Sequence, residues 1–183
     1  MLQVIIALFI MILTPLIAQE NKIHIEPINL ADHWQSVIEI YHDPQVLSAI
    51  GLSAPPNQSF FQHHKERIQR EQLSNTPITT YQIILTEGIF TGLIMLCPFT
   101  DASKIEISYV VHPNYQRKGY GKIAVNKLCT EILPGTKQLI NLWACMRFRN
   151  IASQKILSFC GFMVKDVPNL LDNEDIEYEL QIN

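Results

Sequence analysis

Two hydrophobic periods alternate along the chain, and each change of period marks an element. "KIHIEPI", from Lys22, is apolar at every second position and reads as a strand. "NLADHWQSVIEIYHDP" switches to a helical period: Leu30, Trp34, Val37, Ile38 and Tyr41 share one face behind a capping Asn29, and Asp43-Pro44 stops the helix. Asp43 caps a short turn, "PQVLSAIG", closed by Gly51. Past the loop "LSAPPNQS", a helix capped by Ser59 sets Phe61, His64 and Ile68 on one face and "KERIQREQ" towards solvent.

From Thr79 the period returns to two. "TTYQIILTEGIFTGLIMLCP" predicts two strands joined by a hairpin at Glu87-Gly88. "KIEISYVV" is a third, with Ile105, Ile107, Tyr109 and Val111 on one side and Glu106, Ser108 and Val110 on the other. A helix from Gly121 to Leu133 follows, stopped by Pro134-Gly135. Then come the strand "QLINLWAC", the helix "NIASQKILSFCGF" between a capping Asn150 and a closing Gly161, and the strands "FMVKDV" and "IEYELQI". This order predicts an α/β (α+β) domain on a mixed sheet.

With 183 residues and 48% hydrophobic composition, the chain has room for one domain with a real core. A net charge of −3 excludes a general nucleic-acid binder, which would carry a broad basic face. The four cysteines form no C-x-x-C pair and have no His at ligand spacing, so no metal site is signalled and they read as small apolar side chains. Adjacent in a helix, His63 and His64 point about 100° apart and make a poor chelate.

Residues 1–20 stand apart as an apolar leader. The stretch carries no charged side chain through Gln19, and its core from Val4 to Leu13 has the length of a signal-peptide apolar region, with Leu16-Ile17-Ala18 as a cleavage site. No Lys or Arg precedes that core, which argues against export. As a membrane anchor it is barely long enough, since about 20 apolar residues are needed to span. Lys22 behind it would keep the remainder in the cytoplasm. A signal peptide, an anchor and a misassigned start codon all stay open, and membrane contact requires that residues 1–20 are retained. The domain proper is 21–183.

"QRKGYGK" concentrates candidate chemistry. It follows a strand and opens a helix, so up to four backbone N–H groups point out of the helix start, where the macrodipole adds partial positive charge. Gly119 and Gly121 permit positive φ and close approach of a phosphate, and Arg117, Lys118 and Lys122 add charge. The pattern suits a pyrophosphate. It fits a Rossmann turn badly, lying two thirds along the chain after an antiparallel hairpin, and lacks the second glycine and Ser/Thr of a Walker loop.

Gln116-Arg117-Lys118-Gly119-Tyr120-Gly121 resembles the Q/R-x-x-G-x-G/A pyrophosphate loop of the GNAT superfamily of acetyl-CoA-dependent N-acetyltransferases. "NIASQKILSFCGF" resembles its second signature, an Asn-opened helix closing on Gly-Phe, and the Asn150-x-x-Ser153 form is most similar to the RimJ/RimL-like branch of ribosomal-protein N-terminal acetyltransferases. The resemblance implies a mostly antiparallel sheet with helices on both faces and central strands splayed at the cofactor site.

It also implies a reaction: acetyl passes from acetyl-CoA to a primary amine, at a protein N-terminus or on a small molecule, by a monomer or a homodimer in the cytoplasm. Residues Gln116 to Lys122 and Asn150 would bind the cofactor, and backbone near Val110 and Val111 would hold the pantetheine arm and thioester oxygen. Glu106 stands where many members carry a general base, and Ser153 where the RimL-like branch places a partner for the thiol. The Tyr that many members use as acid is Leu157 here, with Tyr109 and Tyr120 as further phenols. "GLSAPPNQSFFQHH" and the acidic "DNEDIEYE" would shape the acceptor side. The missing Tyr and the apolar leader leave an alternative, a non-catalytic acyl-CoA-binding module, and a third reading, a secreted structural domain, requires that the leader is cleaved.

Overall fold

The computed structural model describes residues 22–74, 78–85, 87–99, 104–136, 139–166 and 175–182; the apolar leader lies outside them. Its strands are β1 (Ile23–Pro27), β2 (Thr80–Leu85), β3 (Phe90–Pro98), β4 (Ile105–Val111), β5 (Ile140–Arg147), β6 (Met163–Asp166) and β7 (Asp175–Ile182). Its helices are α1 (Leu30–Ile40), α2 (Pro44–Ala49), α3 (Gln58–Leu73), α4 (Tyr120–Lys127) and α5 (Ile151–Phe159). The seven strands form one open sheet in the order β1-β2-β3-β4-β5-β7-β6. Neighbours pair antiparallel except β4 and β5, which run parallel. Among the described residues no helix is long and apolar enough to cross a membrane.

Both faces of the sheet are covered. On one, Ile83, Ile94, Leu96, Ile107 and Leu142 pack with Ile123, Val125 and Leu128 from α4 and the turn after it, and with Leu157 from α5. On the other, Leu93 and Met95 pack with Val37 and Ile40 of α1 and with Phe61 and Ile68 of α3. Sandwiched between these layers, β3 is buried over nearly its whole length. The alternation expected for β4 holds: Ile107, Tyr109 and Val111 join the α4–α5 layer, while Val110 joins the α1–α3 layer.

Two helix ends differ from the expected ones. Asn57, not Ser59, caps α3, its Oδ1 accepting from the Phe60 N–H at 2.9 Å; both residues are cap formers, and the backbone turns extended at Asn57. The helix expected through Leu133 is α-helical only to Lys127 and continues as one wider π-helical turn, Leu128–Ile132. The buried side chains Leu128 and Cys129 stay in the core through that turn.

The sheet parts at its only parallel pair. Pairing between β4 and β5 is confined to Ile105 with Leu142 and Glu106 with Trp143. Beyond these, β4 stays with β3 through Val111 and β5 stays with β7 through Arg147, so a gap opens between the two strand ends.

Candidate active site

The turn after β4 is built by short-range bonds. The His112 N–H donates to the Thr91 carbonyl at 2.8 Å and anchors the strand end to β3. His112 Nδ1 accepts from the Asn114 N–H at 3.2 Å, and the Tyr115 and Gln116 N–H groups donate back to His112 and Pro113. The backbone then crosses to positive φ twice, at Arg117 (60°) and Gly119 (80°). For Arg117 this conformation costs about 1 kcal/mol. Such alternation aims successive N–H groups to one side and makes an anion-binding concavity.

Gly119 is the N-cap of α4 and has no side chain to cap with. The first bond into the helix runs from the Ile123 N–H to the Gly119 carbonyl at 3.1 Å, so the N–H groups of Tyr120, Gly121 and Lys122 precede it. Gly121 serves a different purpose from Gly119. It sits buried in the first helical turn without positive φ, and a Cβ there would meet Val111 Cγ2 at 3.1 Å and Ile156 Cδ1 at 3.4 Å. Its smallness lets α4 lie close to β4 and α5. Around the turn, Arg117 and Lys118 are exposed, Lys118 stands 5.2 Å over the Tyr115 ring, and Lys122 stands 4.3 Å over the Phe159 ring.

A cavity of about 460 Å³ leads from this turn along β4, lined by Tyr109–Val111, Gln116, Arg117, Gly119–Lys122, Asn150 and Ser153. A second, of about 300 Å³, fills the gap between the strands, bounded by Ile107–Tyr109 on one side and Ala144–Arg147 on the other. Ala49, Ile50, Tyr109, Asn150 and Ser153 line both, so the two adjoin. β4 pairs with β3 without a shift of register, and the His112 N–H faces β3; alternation therefore turns the N–H and C=O of Tyr109 and Val111 into the gap. The Val111 carbonyl there accepts from Gln116 Nε2 at 3.0 Å.

Where the cavities meet, β4 and α5 touch. Asn150 Oδ1 caps α5 by accepting from the Ser153 N–H at 3.2 Å. The Tyr109 phenol donates to the Ser153 carbonyl at 3.2 Å. Burial pushes the Tyr109 pKa well above the usual phenol range, and its contact with Ser153 pulls it back only in part, so the group stays protonated and remains a donor. Leu157, one turn further along α5, is fully buried in the core and presents no polar atom.

Glu106 belongs to the last β4–β5 pair, at the floor of the gap, and lines neither cavity. Burial raises the pKa of the Cys97 and Cys145 thiols; Asp175 and Glu177 then add to it at Cys145, and Glu106 contributes a smaller push in the same direction at both. Ser108, two residues on and on the same face of β4, lines the second cavity. So do Asp175, from the acidic run expected to shape the acceptor side, and Cys145 and Arg147, which the sequence did not mark as site residues. Arg147 pairs with Asp175 at 3.4 Å, and its guanidinium lies against Gly51, whose Cβ would meet Nε at 3.0 Å. Cys145 is exposed, unlike the apolar thiol expected. Of "DNEDIEYE", the residues before Asp175 lie outside the described residues, and Glu177 accepts from Trp143 Nε1 at 3.1 Å. Among the described residues no group of three or more His, Cys, Asp or Glu side chains could hold a metal ion.

The family profile described as "Acetyltransferase (GNAT) domain" matches residues 22–163. The chain belongs to this family of acetyltransferases. No curated protein matches it in sequence. Solved structures share its fold. YncA from Salmonella typhimurium, solved with its cofactor acetyl-CoA, has 19% identity and a TM-score of 0.65 over 88% of this chain and 93% of that one. Spermidine N-acetyltransferase from Vibrio cholerae, with CoA and spermine, has 12% identity and a TM-score of 0.66 over 88% and 95%. RimL, a ribosomal alpha-N-protein acetyltransferase with coenzyme A, has 13% identity and a TM-score of 0.69 over 88% and 94%. The three fit about equally, and the two whose names give an acceptor differ in it, so the RimJ/RimL branch is not singled out.

Proposed function

We propose that the protein transfers the acetyl group of acetyl-CoA to a primary amine, a protein N-terminal amine or that of a small molecule. The observation that carries this reading is the continuity of the cleft. It runs from a helix start whose cap has no side chain, along a strand edge that β5 does not pair, into the gap between β4 and β5. A diphosphate fits the concavity of Arg117 to Lys122, where dipole and cations act together. The pantetheine arm would follow the β4 edge, taking over the Val111 carbonyl from Gln116. This brings the thioester to Tyr109, Asn150 and Ser153. The neighbours' names supply both kinds of acceptor, spermidine and a ribosomal protein, and the fold does not choose between them.

Acyl transfer needs a neutral amine, a polarised carbonyl and a proton for the departing thiolate. Glu106, on the α1–α3 face at the floor of the gap, takes the amine proton through a water, since it does not line the cavity itself. At the other face the Ser153 hydroxyl protonates the sulfur, and the Tyr109 phenol, donating to the Ser153 carbonyl, holds that residue in place. That pair replaces what Leu157 lacks, which favours catalysis over a purely acyl-CoA-binding role. The donor places the reaction in the cytoplasm, where acetyl-CoA is available.

The test is release of CoA thiol with acetyl-CoA and a panel of acceptors: peptides beginning Ser, Ala and Thr, aminoglycosides and polyamines. Turnover with any of them, lost in Gly119→Glu, supports the reading. Tight CoA binding with no acceptor acetylated would leave the binding module.

A further inference from the structure

Gly92 lies in β3 opposite Val111 and lines neither cavity. A side chain there would collide with β4 backbone: an added Cβ would stand 2.3 Å from the Val110 carbonyl oxygen and 3.0 Å from Val111 Cα. Contacts under 3 Å with backbone are not relieved by a rotamer change, so any residue other than glycine must displace β4. The neighbouring residue holds the same stretch in place. Thr91 is fully buried, its Oγ1 donates to the Ile83 carbonyl at 2.9 Å beside the bulge in β2, and its own carbonyl receives the His112 N–H at 2.8 Å.

We propose that Gly92 is a positioning residue for the cofactor arm: the space left by its missing side chain seats the Val110–Val111 backbone against β3, and so sets the strand edge along which the arm runs. The proposal rests on the reading above that this edge carries pantetheine. β4 has lost β5 as a partner from Ile107 onward, so β3 is the strand that its backbone ladder keeps to where the free edge lies. Glycine inside a strand weakens it, and its use where another backbone approaches closely is the compensating gain. The turn from Arg117 to Lys122 meets this stretch through the Val111 side chain against Gly121 and the Val111 carbonyl bonded to Gln116, while its own shape comes from the bonds among His112–Gln116 and from the Ile123 N–H to Gly119, so the diphosphate cradle follows the strand edge less closely than the arm does.

Two probes separate the arm from the cradle. Coenzyme A uses both; 3′-phospho-ADP, its nucleotide part, uses the cradle alone. In calorimetric titrations of Gly92→Ala, CoA affinity falls at least tenfold while 3′-phospho-ADP affinity stays within twofold of wild type. Gly135→Ala, with ordinary φ and open space around it, changes neither. Unchanged CoA affinity in a folded Gly92→Ala protein overturns the proposal, and equal loss of both ligands overturns it as general loosening. Wild type binding 3′-phospho-ADP as tightly as CoA removes the arm's edge, and with it the reading of the site. Should Gly92→Ala not fold, Thr91→Val, which deletes the hydroxyl bond to Ile83, shows the same split at about threefold; no split there also overturns it.

Discussion

The Tyr109 phenol, on a strand that has lost its neighbour, donates across 3.2 Å to the carbonyl of Ser153 in the first turn of α5. This bond ties β4 to α5 at the level where the two cavities join. With Leu157 facing the core, it fixes the Ser153 end of the helix at the cleft.

Ser153→Ala and Tyr109→Phe should separate the two members of that pair. In Ser153→Ala, turnover should fall about 100-fold, within the usual range for a lost acid. The melting temperature should hold, because Asn150 supplies the cap and accepts from the Ser153 N–H, which alanine keeps. Tyr109→Phe removes a buried hydrogen bond worth about 1 kcal/mol, so it should lower both stability and turnover. Full turnover in both variants, measured by CoA-thiol release, would remove this pair from the chemistry.

Substitution of the two glycines should give opposite signatures. Gly119→Ala adds a side chain where φ is +80° and costs roughly 1 kcal/mol in backbone strain. It also places a methyl at the mouth of the anion site, so CoA affinity should fall more than stability. Gly121→Ala leaves φ ordinary but presses on Val111 and Ile156, so stability should fall more than affinity. Thermal melts and CoA titrations of both variants check the order.

The same two residues mark how far the site was legible beforehand. The alternation in "KIEISYVV", the capping Asn150 and the pairing of a glycine turn with a helix start are local patterns, and the structure bears each of them out. A glycine's role is local only when it is conformational. Gly119 is of that kind, whereas Gly121 and Gly92 answer to atoms 10 or more positions away in the chain. The parting of β4 from β5 was expected through the family resemblance alone; it has no signature in either strand, since it depends on which neighbours each one keeps. Most of the second cavity was hidden for the same reason: Ala49, Cys145 and Arg147 meet Asp175, of the acidic run, only in the folded chain. The choice of Asn57 over Ser59 as cap was a near tie between two good formers.

Glu106→Gln tests the base. With an acceptor whose amine is protonated at pH 7, kcat/KM should fall about 100-fold, while the melting temperature stays put because Glu106 is only half-buried. The deficit should shrink as pH rises towards the acceptor's own pKa, because less of the amine then needs deprotonating. A ratio of wild type to variant that stays flat from pH 7 to 9.5 would count against Glu106 as the base.

A final prediction concerns pH and stability, away from the cleft. His64 packs on α3 between Trp34 and Phe60, with ring centroids 6.3 and 5.8 Å away, and its Nε2 has no partner among the described residues. Burial, and secondly the Arg67 guanidinium, lower its pKa from 6.5 to about 4. A depressed folded-state value means that between those limits the unfolded chain binds the proton and the folded chain does not. His64 therefore contributes stability that is present above pH 6.5 and lost as pH falls through about 4, up to about 3 kcal/mol in all. Glu71, on the same helix and paired with Arg67, opposes this, since burial raises its pKa and the folded state takes its proton early. The clean measure is thus a difference between proteins. In urea titrations from pH 7 to pH 4, wild type should lose more stability than His64→Phe, which fills the same aromatic site without titrating. Parallel losses in the two proteins would mean that His64 is protonated in the folded state as readily as in the unfolded one.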